Sequence, residues 1–218
     1  MKRVAVLVTA FLAFGAQAPA SPVRHLEYAF STIPASAGVT HRGTLSVDIA
    51  GVAPDGGVIV RGTDAYSQPW ALVREHQTIE CEVYDGGSVA CTQPPNGLSP
   101  VERTLFPLLA RGFFEGGTSR LYRVVDVGRY GTYAVQTVSQ LEERSGADPA
   151  HTSIAISSVV SWPVTPTPIP FARTVDSIVY DRAANVPVSI RAEWTNTRAD
   201  SVYAQGTVEL TLTKDVAG

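Results

Sequence analysis

Apolar and polar residues alternate along most of this chain with a period of two residues. The clearest case is 186–194, where apolar side chains alternate with Pro, Ser, Arg and Glu. Residues 202–212 repeat this pattern, and the turn-like segment 196–200 predicts that the two pair as an antiparallel hairpin. Weaker alternation predicts further strands in 25–33, 43–52, 58–66, 71–84, 132–143, 152–161 and 173–180.

Short turns between these segments decide the predicted fold class. With 88–92 included, about ten strands result, and most links are short and rich in Gly, Asp or Pro. Short links favour antiparallel neighbours. We therefore predict a mainly β fold, an antiparallel meander curled into a half-barrel or barrel-like sheet with one short kinked helix. A two-sheet β-sandwich is the alternative.

One segment breaks the alternation and predicts that helix at about 99–111. Ser99 is placed as the N-cap, Pro100 as the first helical residue and Glu102 as the partner in a capping box. Pro107 removes a backbone donor, so a kinked or two-piece helix is expected.

A single helix cannot cover the apolar faces of some ten strands, so the sheet must largely cover itself. If the sheet is a half-barrel partly filled by the helix, an apolar groove remains, although aromatic residues in a β protein are most often core. The candidate ligand-binding residues are apolar residues of the strands and the helix region: Tyr28, Phe30, Leu105, Phe106, Leu109, Phe113 and Trp194.

The first twenty residues predict export. Lys2 and Arg3 precede an apolar run of about eleven residues, shorter than the roughly twenty that span a bilayer. Small residues follow, and we expect signal peptidase to cleave between Ala20 and Ser21. This predicts a signal peptide at 1–20 and a single β domain at 21–218, periplasmic or extracellular and not membrane-spanning after cleavage. Very few lysines beside many arginines suggest a bacterial, GC-rich genome.

The two cysteines are expected to pair in such an oxidising compartment. If Asp85, Gly86 and Gly87 form a three-residue loop, Cys81 falls opposite Cys91 across a hairpin. A disulfide closing so short a loop stabilises the fold by about 3 kcal/mol in the chain-entropy model.

Charge excludes one class of partner. Without Lys2 and Arg3 the formal net charge moves from −3 to −5, and no run of basic residues is present. Nucleic acid is therefore not expected as a partner.

Catalytic and metal-binding patterns are weak. A Gly-x-Ser-x-Gly motif is absent. Glu80 and Glu82 form a conceivable carboxylate pair, and Asp176 and Asp181 flank a strand as conceivable calcium ligands, but solvated polar faces are the more common interpretation. The histidines, expected mainly on the surface, are His25, His41, His76 and His151. We expect no enzymatic activity, no metal and no cofactor.

The C-terminal part resembles a known superfamily. Tyr180-Asp181, five further residues and then Pro187-Val188-x-Ile190, within 179–213, resemble the lipoprotein-carrier superfamily of convex half-barrels in bacterial envelopes. The helix region 99–114 resembles it more loosely. The chain lacks the N-terminal helix and lipobox of many carriers, so no binding residue is carried over.

The excess of one-sided strands over the available cover, together with this resemblance, predicts an exported protein without catalytic activity that binds an apolar ligand, a lipid or lipoprotein-like molecule, in a β groove. The alternative is a structural or protein-interaction module of the envelope, in which edge strands and the Pro-rich segment 162–171 dock a partner protein. A third hypothesis, a secreted hydrolase, requires a buried polar cluster around His25, His41 or His76.

Overall fold

Eleven strands close into a barrel in which each strand pairs with the next along the chain and β1 pairs with β11. The computed structural model describes residues 23–34, 40–67, 78–93, 98–115, 117–128, 131–144, 148, 150–162, 169–198 and 201–218. The strands are β1 Arg24–Pro34, β2 His41–Val52, β3 Val58–Tyr66, β4 Thr78–Val83, β5 Val89–Gln93, β6 Ser119–Gly128, β7 Gly131–Arg144, β8 His151–Trp162, β9 Ile169–Asp181, β10 Val186–Arg198 and β11 Ser201–Ala217.

The odd number of strands dictates one parallel pair. Strands that alternate in direction around a closed ring must be even in number, so eleven strands require one neighbouring pair to run the same way. That pair is β5 and β6, with Val89 opposite Val124 and Ala90 opposite Val125. A parallel pair needs a long crossover. The chain between β5 and β6 supplies it, and the structure describes residues 98–115, 117 and 118 of this crossover.

The described helical part of this crossover lies inside the barrel. It contains α1, Pro100–Leu105, followed by a 3₁₀ turn, Phe106–Leu109. The helix α1 contacts β1 and β11, whereas the 3₁₀ turn contacts β4 and β10, which lie on opposite sides of the ring. Val101, Leu105 and Phe106 are fully buried. The crossover therefore fills part of the lumen.

Local sequence signals explain how this segment folds. Glu102 N donates to Ser99 Oγ at 3.3 Å, and Ser99 N donates to Glu102 Oε2 at 2.9 Å, which completes the capping box. Pro107 lies where the α-helix tightens into the 3₁₀ turn. The predicted two-piece helix is confirmed, and its second piece ends at Leu109, close to the expected Arg111.

The crossover packs tightly against β3. A Cβ atom on Gly62 would lie 2.6 Å from Phe106 Cζ and 3.1 Å from Glu102 Oε1. Beside this contact the lumen is filled by buried side chains of β1 to β3, including the edge-to-face pair of Phe30 and Tyr66 with ring centroids 4.9 Å apart. The side of the lumen next to β1 to β3 is therefore a packed hydrophobic core.

The predicted hairpin and its disulfide are confirmed. Cys81 is bonded to Cys91, and Val83 lies opposite Val89. Gly86 and Gly87 have φ angles of 77° and 101°, which L side chains rarely adopt, so the Asp-Gly-Gly turn needs both glycines.

The mainly β meander is confirmed, and of the shapes left open the barrel-like one is correct. The half-barrel and the sandwich are not formed, because β1 and β11 join the two ends of the sheet. Strand β6 is an eleventh strand that the pattern did not reveal. Since every strand pairs on both sides, the described residues offer no edge strand for a partner.

Within the described chain, no helix is long and apolar enough to cross a membrane. The expected signal peptide lies outside the described residues.

Candidate functional site

A cavity of about 430 Å³ lies between the crossover and the wall formed by β6 to β11. Small-molecule sites in proteins span roughly 300–1,000 Å³, so its volume suits a small ligand. It remains because the crossover fills only part of the lumen.

Most residues around the cavity are apolar. They come from both pieces of the crossover and from the inward positions of the six strands, where side chains alternate between lumen and exterior. They include Leu108, Phe113, Val135, Ile156, Trp194 and Val208.

The cavity is open at one end. Trp162, the last residue of β8, is 40% exposed. Pro100 and Arg103 of α1 also line the cavity and are exposed, and the Arg103 guanidinium donates to the Leu98 carbonyl at 3.3 Å. A ligand therefore has a route from solvent past these residues, which we call the rim.

Asp176 places a carboxyl group in the cavity wall. It lies on β9 opposite Ile156 of β8 and Ala192 of β10, both apolar and buried. The side chain of Thr174 hydrogen-bonds to the carboxyl group. Oδ1 is shielded from solvent and accepts no hydrogen bond among the described residues.

This environment changes the acidity of the group. Loss of hydration disfavours the charged form, and burial raises the pKa of Asp176 from 3.8 to about 7, although the Thr174 hydrogen bond acts in the opposite direction. Perturbed carboxyl groups in clefts are common at functional sites.

Further polar groups extend from Asp176 across β8, β7 and β6. Ser158 and Ser139 share a buried hydrogen bond of 2.7 Å between their Oγ atoms. The side chain of Tyr122 hydrogen-bonds with Ser139 and Thr137, while burial raises its pKa to about 12. Tyr122 and Thr137 line the cavity, so one wall offers hydroxyl groups and a carboxyl group while the rest is apolar.

The structure brings together two of the seven predicted ligand-binding residues. Phe113 and Trp194 line the cavity. The ring of Trp194 is accommodated by Gly206, where a Cβ atom would lie 2.6 Å from Trp194 Cζ2. The other five are buried in the core and are not among the cavity-lining residues: Tyr28, Phe30, Leu105, Phe106 and Leu109.

The three histidines that the structure describes do not line the cavity. His25 is half-buried on the outer face, with Nδ1 2.6 Å from Asp48 Oδ1 and Nε2 3.0 Å from Glu27 Oε1. His151 contacts Asp148 at 2.5 Å. His41 is half-buried at the start of β2, and His76 lies outside the described residues.

The structure does not bring the acidic residues considered in the sequence together as the expected pairs would require. Glu80 pairs with Arg61 on the surface at 2.7 Å. Asp176 points into the lumen, whereas Asp181 ends β9, about 16 Å further along the strand, and accepts from Ala184 N. The described residues contain no cluster of three or more His, Cys, Asp or Glu that could hold a metal ion.

Sequence reasoning missed the polar wall, although a signal was present. On β9 the inward positions are Ala172, Thr174, Asp176, Ile178 and Tyr180. Asp176 is thus a carboxyl group in the apolar phase of a strand, which is unusual without a polar partner.

Comparisons with known proteins add little. No protein-family model and no curated protein matches the chain. Among solved structures, it is similar to a porin-like protein from Bacteroides uniformis, with 8% identity over 89% of this chain and 100% of that one, and a TM-score of 0.24. A TM-score this low supports no argument about fold or function. The resemblance to lipoprotein carriers stays a prediction.

Proposed function

We propose that this protein binds an apolar or amphipathic small molecule, such as a lipid, inside its barrel, without catalysing a reaction. The observation that carries the proposal is the cavity of about 430 Å³. It is largely apolar and connected to solvent at the rim. Binding would remove apolar ligand surface from water at about 25 cal/mol per Å², the usual source of affinity for such ligands.

We also propose that the protein works outside the cytoplasm. The disulfide between Cys81 and Cys91 supports this, because such bonds persist mainly in oxidising compartments. The twenty N-terminal residues, with their signal-like pattern, support it as well.

The proposal is tested by filling the cavity. Ala192 lines the cavity and is 3% exposed, so Ala192→Phe would place a ring where the ligand is proposed to sit. Ala29 is exposed on the outer face of β1, and Ala29→Phe provides the matched control. Each protein is titrated with an uncharged naphthalene-type fluorescent probe, and organic extracts of the purified proteins are searched for lipid by mass spectrometry.

Wild type and Ala29→Phe are expected to bind the probe, whereas Ala192→Phe should bind it at least tenfold more weakly while keeping the circular dichroism spectrum of a β protein. If wild type binds neither probe nor lipid, or if Ala192→Phe binds the probe as well as wild type, ligand binding in this cavity is refuted.

The second candidate, a protein-interaction module, is favoured by an exposed apolar pair on the outer face. Leu121 and Val138 lie opposite each other on β6 and β7 and are 67% and 41% exposed. Exposed apolar patches often mark interaction surfaces. Light scattering of wild type and of Leu121→Lys tests it: self-association that the lysine abolishes would favour this candidate.

A further inference from the structure

Among the described residues, no cation forms an ion pair with the carboxyl group of Asp176. Of the described residues that line the cavity, those with a charged or titratable side chain are Asp176 on β9, Tyr122 on β6 and Arg103 on α1. Tyr122 stays neutral near pH 7, because its pKa is raised to about 12. Arg103 lies at the exposed rim and donates to Leu98, and it is not among the groups that perturb Asp176.

The carboxyl oxygens of Asp176 also accept fewer hydrogen bonds than they could. Thr174 provides a hydrogen bond, but Oδ1 accepts none among the described residues. Leaving a buried acceptor without a partner is costly, and leaving a buried charge without one is more costly still. Oδ1 itself is shielded, but the half-buried side chain as a whole lines the cavity, so a cationic ligand there would supply the counter-charge that the carboxylate lacks.

We propose, on the basis of the proposed function, that the cavity selects amphiphiles with one protonated amine, which binds the Asp176 carboxylate while the apolar part contacts the surrounding apolar wall. The step is non-covalent: the ammonium group donates to the carboxylate, and a proton is released from any Asp176 that was protonated before binding. Tyr122 and Thr137 lie on the same polar wall and offer hydroxyl groups for the remaining ammonium donors.

A fatty acid and an alcohol would be expected to bind differently from an amine. A fatty acid would place two carboxyl groups in one cavity, and among the described lining residues its cationic partner would be Arg103 at the rim. An alcohol would donate one neutral hydrogen bond. Hydrogen bonds to charged groups are stronger than neutral ones, so the amine should bind roughly tenfold or more tightly than the alcohol of equal length.

The experiment compares decylamine, 1-decanol and decanoate as competitors of the uncharged fluorescent probe at pH 8. It uses wild type, Asp176→Asn and the control Asp85→Asn, which removes one negative charge from an exposed turn residue. Wild type and Asp85→Asn should prefer decylamine over 1-decanol by roughly tenfold or more. In Asp176→Asn the ratio of the decylamine affinity to the 1-decanol affinity should fall to about one, because the charged partner of the amine is gone.

A second measurement uses wild type alone, so the outcome does not depend on the folding of a variant. Since the pKa of Asp176 is about 7, its ionised fraction rises roughly tenfold from pH 6 to pH 8. Decylamine stays protonated throughout this range. Its affinity should therefore rise by up to roughly tenfold, while that of 1-decanol stays constant or falls.

The two proposals fail separately. Binding of 1-decanol with no amine preference, an amine preference that persists in Asp176→Asn, tighter binding of decanoate, or an amine affinity that does not change with pH would each overturn the selectivity and leave cavity binding standing. Absence of any probe or competitor binding to wild type would overturn both.

Discussion

Replacing Asp176 by Asn should change how the stability of the protein depends on pH. In the folded protein, burial raises the pKa of Asp176 from 3.8 to about 7. Between these two values the folded state binds a proton that the unfolded state releases, so this group makes the folded state progressively less stable as the pH rises. A raised pKa of an acid thus favours the folded state at low pH.

The magnitude follows from the shift. A rise from 3.8 to about 7 is about three units, and each unit corresponds to 1.36 kcal/mol, which gives about 4 kcal/mol in total. This is the largest change expected, because water entering the cavity screens the carboxylate. Asparagine has nearly the same shape and cannot ionise, so it does not contribute this loss.

The assay is urea unfolding of wild type and Asp176→Asn at several values between pH 4 and pH 9. The free energy of unfolding of the variant, relative to wild type, should increase by up to about 4 kcal/mol between pH 4 and pH 8 and then level off. Asp85→Asn shows what the loss of one surface charge does by itself. A difference between wild type and Asp176→Asn that is the same at pH 4 and pH 8 would refute the reasoning.

Three further changes test the architecture. Replacing both Cys81 and Cys91 by Ala should lower the free energy of unfolding by about 3 kcal/mol, as should reduction of the wild type, and no loss in either would contradict the loop-closure argument. Ser99→Ala should cost about 1 kcal/mol in urea unfolding, whereas Ser99→Thr should keep most of the stability because it retains the capping hydroxyl group. Gly62→Ala should cost roughly 1–3 kcal/mol, since its Cβ would lie 2.6 Å from Phe106 Cζ, and an unchanged unfolding midpoint would show that the crossover can shift.

Local features of this fold could be predicted from sequence because neighbouring residues determine them. The capping box depends on Ser99 and Glu102, three residues apart, and the hairpin register of Cys81 and Cys91 follows from a three-residue loop between short arms. Strand β6 was missed because Leu121, on its outer face, is apolar and weakens the alternation with the inward residues Tyr122 and Val124.

Features that depend on distant residues could not be predicted. Closure of the barrel needs β1 and β11 to meet, with Arg24 opposite Ala217. The position of the cavity depends on which part of the lumen the crossover fills, and this depends on contacts between residues distant in sequence, such as Gly62 and Phe106. For this reason the sequence identified Phe113 and Trp194 correctly as inward-facing but did not distinguish them from core residues such as Tyr28.

The position of the helical part of the crossover inside the lumen constrains the order of folding. The crossover is joined to β5 at one end and β6 at the other, so its helical part can enter the lumen only while the ring is still open. Pairing of β1 with β11 joins residues almost two hundred positions apart, such as Arg24 and Ala217, and contacts of such large separation form slowly. We therefore expect the barrel to wrap around the crossover and to close last between its first and last strands.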